Sequence, residues 1–135
     1  MPSGYSGTPL VKKLGIKENN KVWFILAPDH YLGLLGDLPD GVNMLKRPKK
    51  PVHFIHLFAK DLKTLEKWLP KCKDMIEKDG MIWVSWYKKA ARIPTDVTED
   101  EIRATCLPMG LVDVKVCAVD EKWSGLKLVW RKELR

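Results

Sequence analysis

The sequence predicts a three-layer α/β sandwich with a mostly parallel sheet and a C-terminal antiparallel hairpin. Three observations carry this. Continuous apolar runs at residues 22–27, 52–58 and 81–86 suit strands covered on both faces. Between the last two, Leu62, Leu65, Leu69, Cys72 and Ile76 recur at alternating gaps of three and four, which makes one helical stripe. Near the end, apolar segments 111–119 and 126–131 flank the turn Asp120-Glu121-Lys122-Trp123-Ser124-Gly125. Strands that alternate with helices imply a parallel sheet with helices on both faces. All 135 residues are expected to form a single domain, with residues 1–8 as an N-terminal arm.

The elements follow in order. Residues 1–8 are rich in Gly, Ser and Pro, and Tyr5, Pro9 and Leu10 offer apolar anchors by which an arm at residues 4–10 would pack on the body. Thr8 as N-cap and Pro9 at the first helical position predict a short helix that Gly15 stops. Asn19 and Asn20 mark a turn before the first strand, which Pro28 ends. Asp29 suits the cap of a short helix over 30–35. Residues 42–45 suit a second strand. Asp61 caps a long helix to about Lys78, with Gly80 as its left-handed stop. Thr98 and Glu101 form a capping box for a helix to Met109, and Gly110 ends it.

Composition excludes several classes. Apolar residues at 45% and charged residues at 30% describe a globular chain and not a disordered one. No apolar run approaches a membrane span, and the N-terminal residues show no secretory leader, so a cytoplasmic protein without membrane partners is expected. Cys72, Cys106 and Cys117 are odd in number, widely spaced and in apolar settings, as expected of buried thiols in a reducing compartment. His53 and His56 point to opposite faces of one strand and cannot share a metal, so no metal is expected.

The formal net charge of +7 suits an anionic small molecule or an acidic partner, with nucleic acid a weaker expectation because no recognised nucleic-acid-binding motif is present. The densest basic run is Lys46-Arg47-Pro48-Lys49-Lys50. Its place depends on the direction of strand two. Only six residues separate Leu45 from Val52, fewer than a parallel crossover normally takes. Either the chain returns stretched across the sheet and the run joins Lys88 and Lys89 on one rim, or residues 42–45 run antiparallel and the run lies at the far end.

The segment from Val52 to Trp86, strand then helix then Lys78-Asp79-Gly80 then strand, together with the hairpin after Gly110-Leu111-Val112, resembles the second half of a class I S-adenosylmethionine-dependent methyltransferase. The resemblance implies a Rossmann-like core from which one strand-helix unit has been deleted, and so favours the stretched return. It also implies a glycine-rich turn after strand one and an acidic residue after strand two. This chain has Ala27-Pro28-Asp29-His30-Tyr31 and Lys46-Arg47 there. A second resemblance spans nearly the whole chain. The words Gly4-Tyr5-Ser6-Gly7-Thr8-Pro9-Leu10, Pro94-Thr95-Asp96, Gly110-Leu111-Val112-Asp113-Val114-Lys115-Val116-Cys117-Ala118 and Trp123-Ser124-Gly125-Leu126 are similar to a small bacterial family with no assigned activity, a domain of unknown function.

In parallel sheets ligands bind beyond the carboxyl ends of the strands. That rule singles out Asp29 and His30 after strand one, Lys60 after the 52–58 strand, and Trp86, Lys88, Lys89 and Arg92 after the 81–86 strand. Asp120, Trp123 and Ser124 join them from the hairpin turn. The cations suit a phosphate or carboxylate, and Trp86 and Trp123 suit stacking on a ligand. Asp61 and Asp96 read as caps. No Ser–His–acid word, H-E-x-x-H, P-loop or dinucleotide fingerprint occurs, so catalytic residues are not assigned. The expected activity is non-catalytic recognition of an anionic ligand without a cofactor. The alternative is a methyltransferase whose S-adenosylmethionine site has been remodelled.

Overall fold

The computed structural model describes residues 8–47 and 49–135. Most of the arm expected at residues 4–10 lies outside the described residues. The chain runs α1 (Leu10–Leu14), β1 (Lys21–Ile25), α2 (Tyr31–Leu35), β2 (Asn43–Met44), β3 (Val52–Phe58), α3 (Leu62–Met75), β4 (Ile76–Tyr87), α4 (Glu99–Cys106), β5 (Leu111–Ala118) and β6 (Trp123–Trp130). One six-stranded sheet has the order β2-β1-β3-β4-β6-β5. The first four strands are parallel, and β6 and β5 add antiparallel. This is the predicted mostly parallel α/β architecture with its closing hairpin.

Successive strand residues face opposite sides, so one sheet builds two cores. Trp23, Ile25, Ile55, Leu57, Ile82 and Val84 pack under α3 and α4 against Leu65, Leu69, Cys72, Ile102 and Cys106. On the other side Val22, Phe54, Phe58 and Trp83 meet Leu10, Val11 and Leu14 of α1 and Tyr31 and Leu35 of α2. Burial pushes the Cys72 thiol up to about 12 and the Cys106 thiol up to about 11, so both stay protonated as packing residues.

Strand β2 is parallel to β1, pairing Asn43 with Lys21 and Met44 with Val22, so the stretched return is the one adopted. The Leu45 N–H continues the ladder to the Val22 carbonyl at 2.8 Å, and the Leu45 side chain packs on the α3 side. The connector after β2 therefore leaves along that face of β1.

Several boundaries differ from expectation. Pro9 and not Thr8 occupies the N-cap position of α1, so the helix starts one residue later than predicted and has no side-chain cap. Helix α2 is capped by His30 without a side-chain bond, so Asp29 is not its cap. Strand β6 begins at Trp123, and Ser124 and Gly125 are paired strand residues opposite Trp86 and Ser85, not turn residues.

Helix α3 starts as predicted, with Asp61 accepting from the Thr64 N–H at 2.8 Å, but ends at Met75. Gly80 is not a helix stop. It lies inside β4, where a Cβ would stand 2.8 Å from the His53 carbonyl oxygen on β3. The missing side chain lets two backbones approach. Gly80→Ala should therefore force β3 and β4 apart and cost about 2 kcal/mol in urea unfolding. An unchanged midpoint would mean that the strands yield freely there.

Candidate functional site

A groove of about 590 Å³ opens beside β1 on the α3 side. Its floor is Trp23 and Ile25, α3 contributes Trp68, Lys71, Asp74 and Met75, and the connector after β2 contributes Lys46 and Arg47. It exists because the helices of this face serve the other strands: α3 packs on β3 and β4, and α4 packs on β5. Over β1, α3 brings Trp68, which meets Trp23 edge to face at 6.2 Å. Among the described residues no ion pair engages Lys46 or Arg47, and both are exposed. At the upper end stands Leu26, at φ 57 and 52% exposed. A non-glycine residue with a bulky side chain rarely adopts that conformation, and here it turns the chain directly after a parallel strand.

The sequence-predicted residues divide among several places. Trp86, Lys88 and Lys89 line a second cleft of about 660 Å³ with Tyr87, Thr95 and Val97. Glu99 and Asp100 line it too, so its lysines face acids as well as solvent. Trp86 and Trp123 are 9% and 4% exposed. The stacking expected of Trp123 is made internally, face to face with Tyr87 at 4.2 Å and edge-on to Phe58 at 5.1 Å. Arg92 is exposed in a left-handed turn. Lys60 is exposed, and its carbonyl accepts the Thr95 hydroxyl at 2.7 Å, while Asp96 accepts the Leu62 N–H at 2.8 Å. That loop clamps the start of α3, so Asp61 and Asp96 are caps.

The basic run and Lys88 line different clefts. Strands β1 and β3 stand between β2 and β4, and the two clefts have no lining residue in common. At the usual inter-strand spacing, three steps are about 14 Å.

His30 and Asp120 meet at 2.7 Å, joining the turn after β1 to the β5–β6 hairpin. Burial raises the Asp120 carboxyl, but bonds from His30 and from the Lys122 and Trp123 N–H groups outweigh it, so the group titrates below its ordinary range. Asp120 thus orders its own turn. Asp29 is exposed beside this pair. Beneath it lies a relay the sequence reading missed: the Tyr31 hydroxyl is 2.6 Å from His56 Nδ1, and His56 Nε2 is 2.6 Å from the Ser85 hydroxyl. All three are buried. Burial pushes the His56 imidazole down to about 3 and the Tyr31 phenol well up, so both are neutral at pH 7. One ring nitrogen donates and the other accepts.

No family model matches the chain, and no curated protein does either. Solved structures do. An assigned type 11 methyltransferase of Sulfolobus solfataricus superposes with a TM-score of 0.63 over 93% of this chain and 90% of its own, at 15% identity. The chain has a methyltransferase-type fold. A SAM-dependent methyltransferase of Aquifex aeolicus gives a TM-score of 0.60 at 18% identity, over 88% of this chain and 86% of its own. TrmN of Thermus thermophilus gives 0.58 at 11% identity over 90% of this chain and 47% of its own. At such identities the likeness concerns the fold alone.

The residues do not fit S-adenosylmethionine in the mode expected from the sequence. The turn after β1 presents the Leu26 side chain and Pro28, which has no N–H, in place of glycines whose amides could approach a cofactor. After β2, two cations stand where a carboxylate would take ribose hydroxyls. Trp23, Leu26, Trp68, Lys71 and Asp74 were not singled out by sequence. One signal was available for Trp68: it sits beside Leu65, Leu69 and Cys72 on α3, at the margin of the apolar stripe.

Proposed function

We propose that the protein is a binding domain on a methyltransferase-type scaffold that recognises an anionic ligand in the groove between β1, α3 and the connector after β2. One observation carries the reading: Lys46 and Arg47, in no ion pair among the described residues, line a largely apolar groove that Lys71 also enters. Apolar walls with a few convergent charges are the usual make-up of a small-molecule site. A cation beside a water-poor surface attracts an anion more strongly than one in open solvent.

A second reading is methyl transfer with a remodelled donor site, and the likeness to two methyltransferases over most of the chain favours it. The turn after β1 weighs against it, because Leu26 and Pro28 replace the residues that would admit the donor.

A thermal-shift comparison separates the two. A ligand present at 100 times its dissociation constant adds about 2.7 kcal/mol, which raises Tm by several degrees. Anionic ligands should produce that shift, and S-adenosylmethionine and S-adenosylhomocysteine should not. Lys46→Glu with Arg47→Glu should remove the anion shift, whereas Lys88→Glu in the other cleft should leave it in place. A shift with the methyl donor alone would hand the case to the enzyme reading.

A further inference from the structure

The geometry points to a nucleoside phosphate as the ligand of the Trp23–Trp68 groove, a deepening of the anionic-ligand reading on which it rests. Three features of the walls select this class together. The first is aromatic. Trp23 and Trp68 meet edge to face, and the ammonium groups of Lys71 and Lys67 lie 4.7 and 5.5 Å from the Trp68 ring centroid. Both lysines are exposed, so a nucleobase that displaces one of them would stack on the half-buried Trp68 ring.

The second feature is cationic. Lys46 and Arg47 stand in the connector after β2, with Trp23 and Ile25 on the floor between them and α3. A guanidinium with an ammonium beside it suits phosphate oxygens, which take up a bidentate arginine. The third is Asp74, the one carboxylate among the described residues that line the groove. Against a plain anion it would be repulsive. Against a base with an exocyclic amino group it is an acceptor.

Each alternative ligand leaves part of the wall unused. Inorganic phosphate engages Lys46 and Arg47 but no aromatic ring. A fatty carboxylate fills the apolar part and meets Asp74 with like charge. S-adenosylmethionine brings a sulfonium cation toward Lys46, Arg47 and Lys71. The volume of about 590 Å³ lies inside the range of small-molecule pockets.

The test is calorimetric titration of the whole chain at fixed ionic strength with adenosine monophosphate, adenosine, inorganic phosphate and laurate. Adenosine monophosphate should bind at least about tenfold more tightly than any of the others. Lys46→Glu with Arg47→Glu should bring it down to the affinity of adenosine. Trp68→Ala should weaken adenosine monophosphate and leave phosphate unchanged. Asp74→Ala, a surface change that leaves the core intact, should weaken adenosine monophosphate but not inosine monophosphate, which lacks the amino group. Equal affinity for phosphate and adenosine monophosphate, or tighter binding of laurate, overturns the nucleotide assignment while the anionic site stands. An equal effect of Asp74→Ala on both nucleotides overturns it too. If no anion binds, the assignment and the reading beneath it fall together.

Discussion

Between pH 8 and pH 5 the protein should lose about 2 kcal/mol of stability through His56 alone. In the unfolded chain this histidine takes up a proton near its ordinary value of about 6.5. In the folded protein, burial delays that uptake to about 3. Between the two the unfolded state binds more protons, so stability falls as pH falls. The loss begins near pH 6.5, is complete near pH 3, and totals on the order of 5 kcal/mol. Carboxylates such as Asp120 add an acid-dependent loss of their own, so the His56 share is isolated by a variant. His56→Phe alone preserves the stacking on Phe58, where the rings lie 4.2 Å apart at 20°. It strands the Tyr31 and Ser85 hydroxyls, however, and should cost about 3 kcal/mol at pH 7. The triple change Tyr31→Phe, His56→Phe, Ser85→Ala removes all three polar partners and should recover most of that loss. Urea unfolding of the triple variant at pH 8 and pH 5 should differ by about 2 kcal/mol less than in the wild type. Equal pH dependence in the two proteins would mean that His56 is already protonated or solvated in the folded state.

How far the sequence discloses this molecule depends on the range of the interaction involved. The β3 boundaries, the Asp61 cap and the Thr98 half of the predicted capping box rest on neighbours within a few residues, and these stand as predicted. The end of α3 does not. Gly80 follows the helical stripe and so reads as a helix stop, but the contact that requires a glycine there is with His53, on another strand. Trp123 reads as a turn residue because Asp120 and Gly125 flank it, yet its position is decided by pairing with Tyr87. The direction of β2 was legible only through a whole-fold resemblance, since a two-residue strand carries no periodicity. The groove was hidden for a related reason. Lys46, Trp23 and Lys71 lie far apart in sequence, and what joins them is the place of β1 between the connector after β2 and α3. The relay around His56 joins three separate segments in the same way, and no spacing in the chain foretells it.

Trp83→Ala should be the most damaging single substitution in the second core, at about 4 kcal/mol. The side chain is fully buried on β4, near the centre of the sheet. Its indole N–H donates to the Leu14 carbonyl at 2.8 Å. Leu14 closes α1, and the last carbonyls of any helix lack intrahelical donors. The Gly15 cap of this helix serves the Val11 and Lys12 carbonyls, and Trp83 supplies from the sheet the donor for the Leu14 carbonyl. So short a helix is not stable alone, and Leu10, Val11 and Leu14 hold it by packing. The alanine variant removes the packing partner and the cap together. Trp83→Phe keeps most of the packing and removes only the cap, so it should cost about 2 kcal/mol. The two variants should also differ in where they act. With phenylalanine, amide exchange should rise in residues 10–15 well before the β3–β4 ladder opens, because the lost bond serves α1 and not the sheet. With alanine, exchange should rise throughout the second core, including Phe54 and Tyr31. Uniform exchange in the phenylalanine variant would mean that α1 and the sheet unfold as one unit, and that the indole bond contributes to global stability instead of to the docking of the helix.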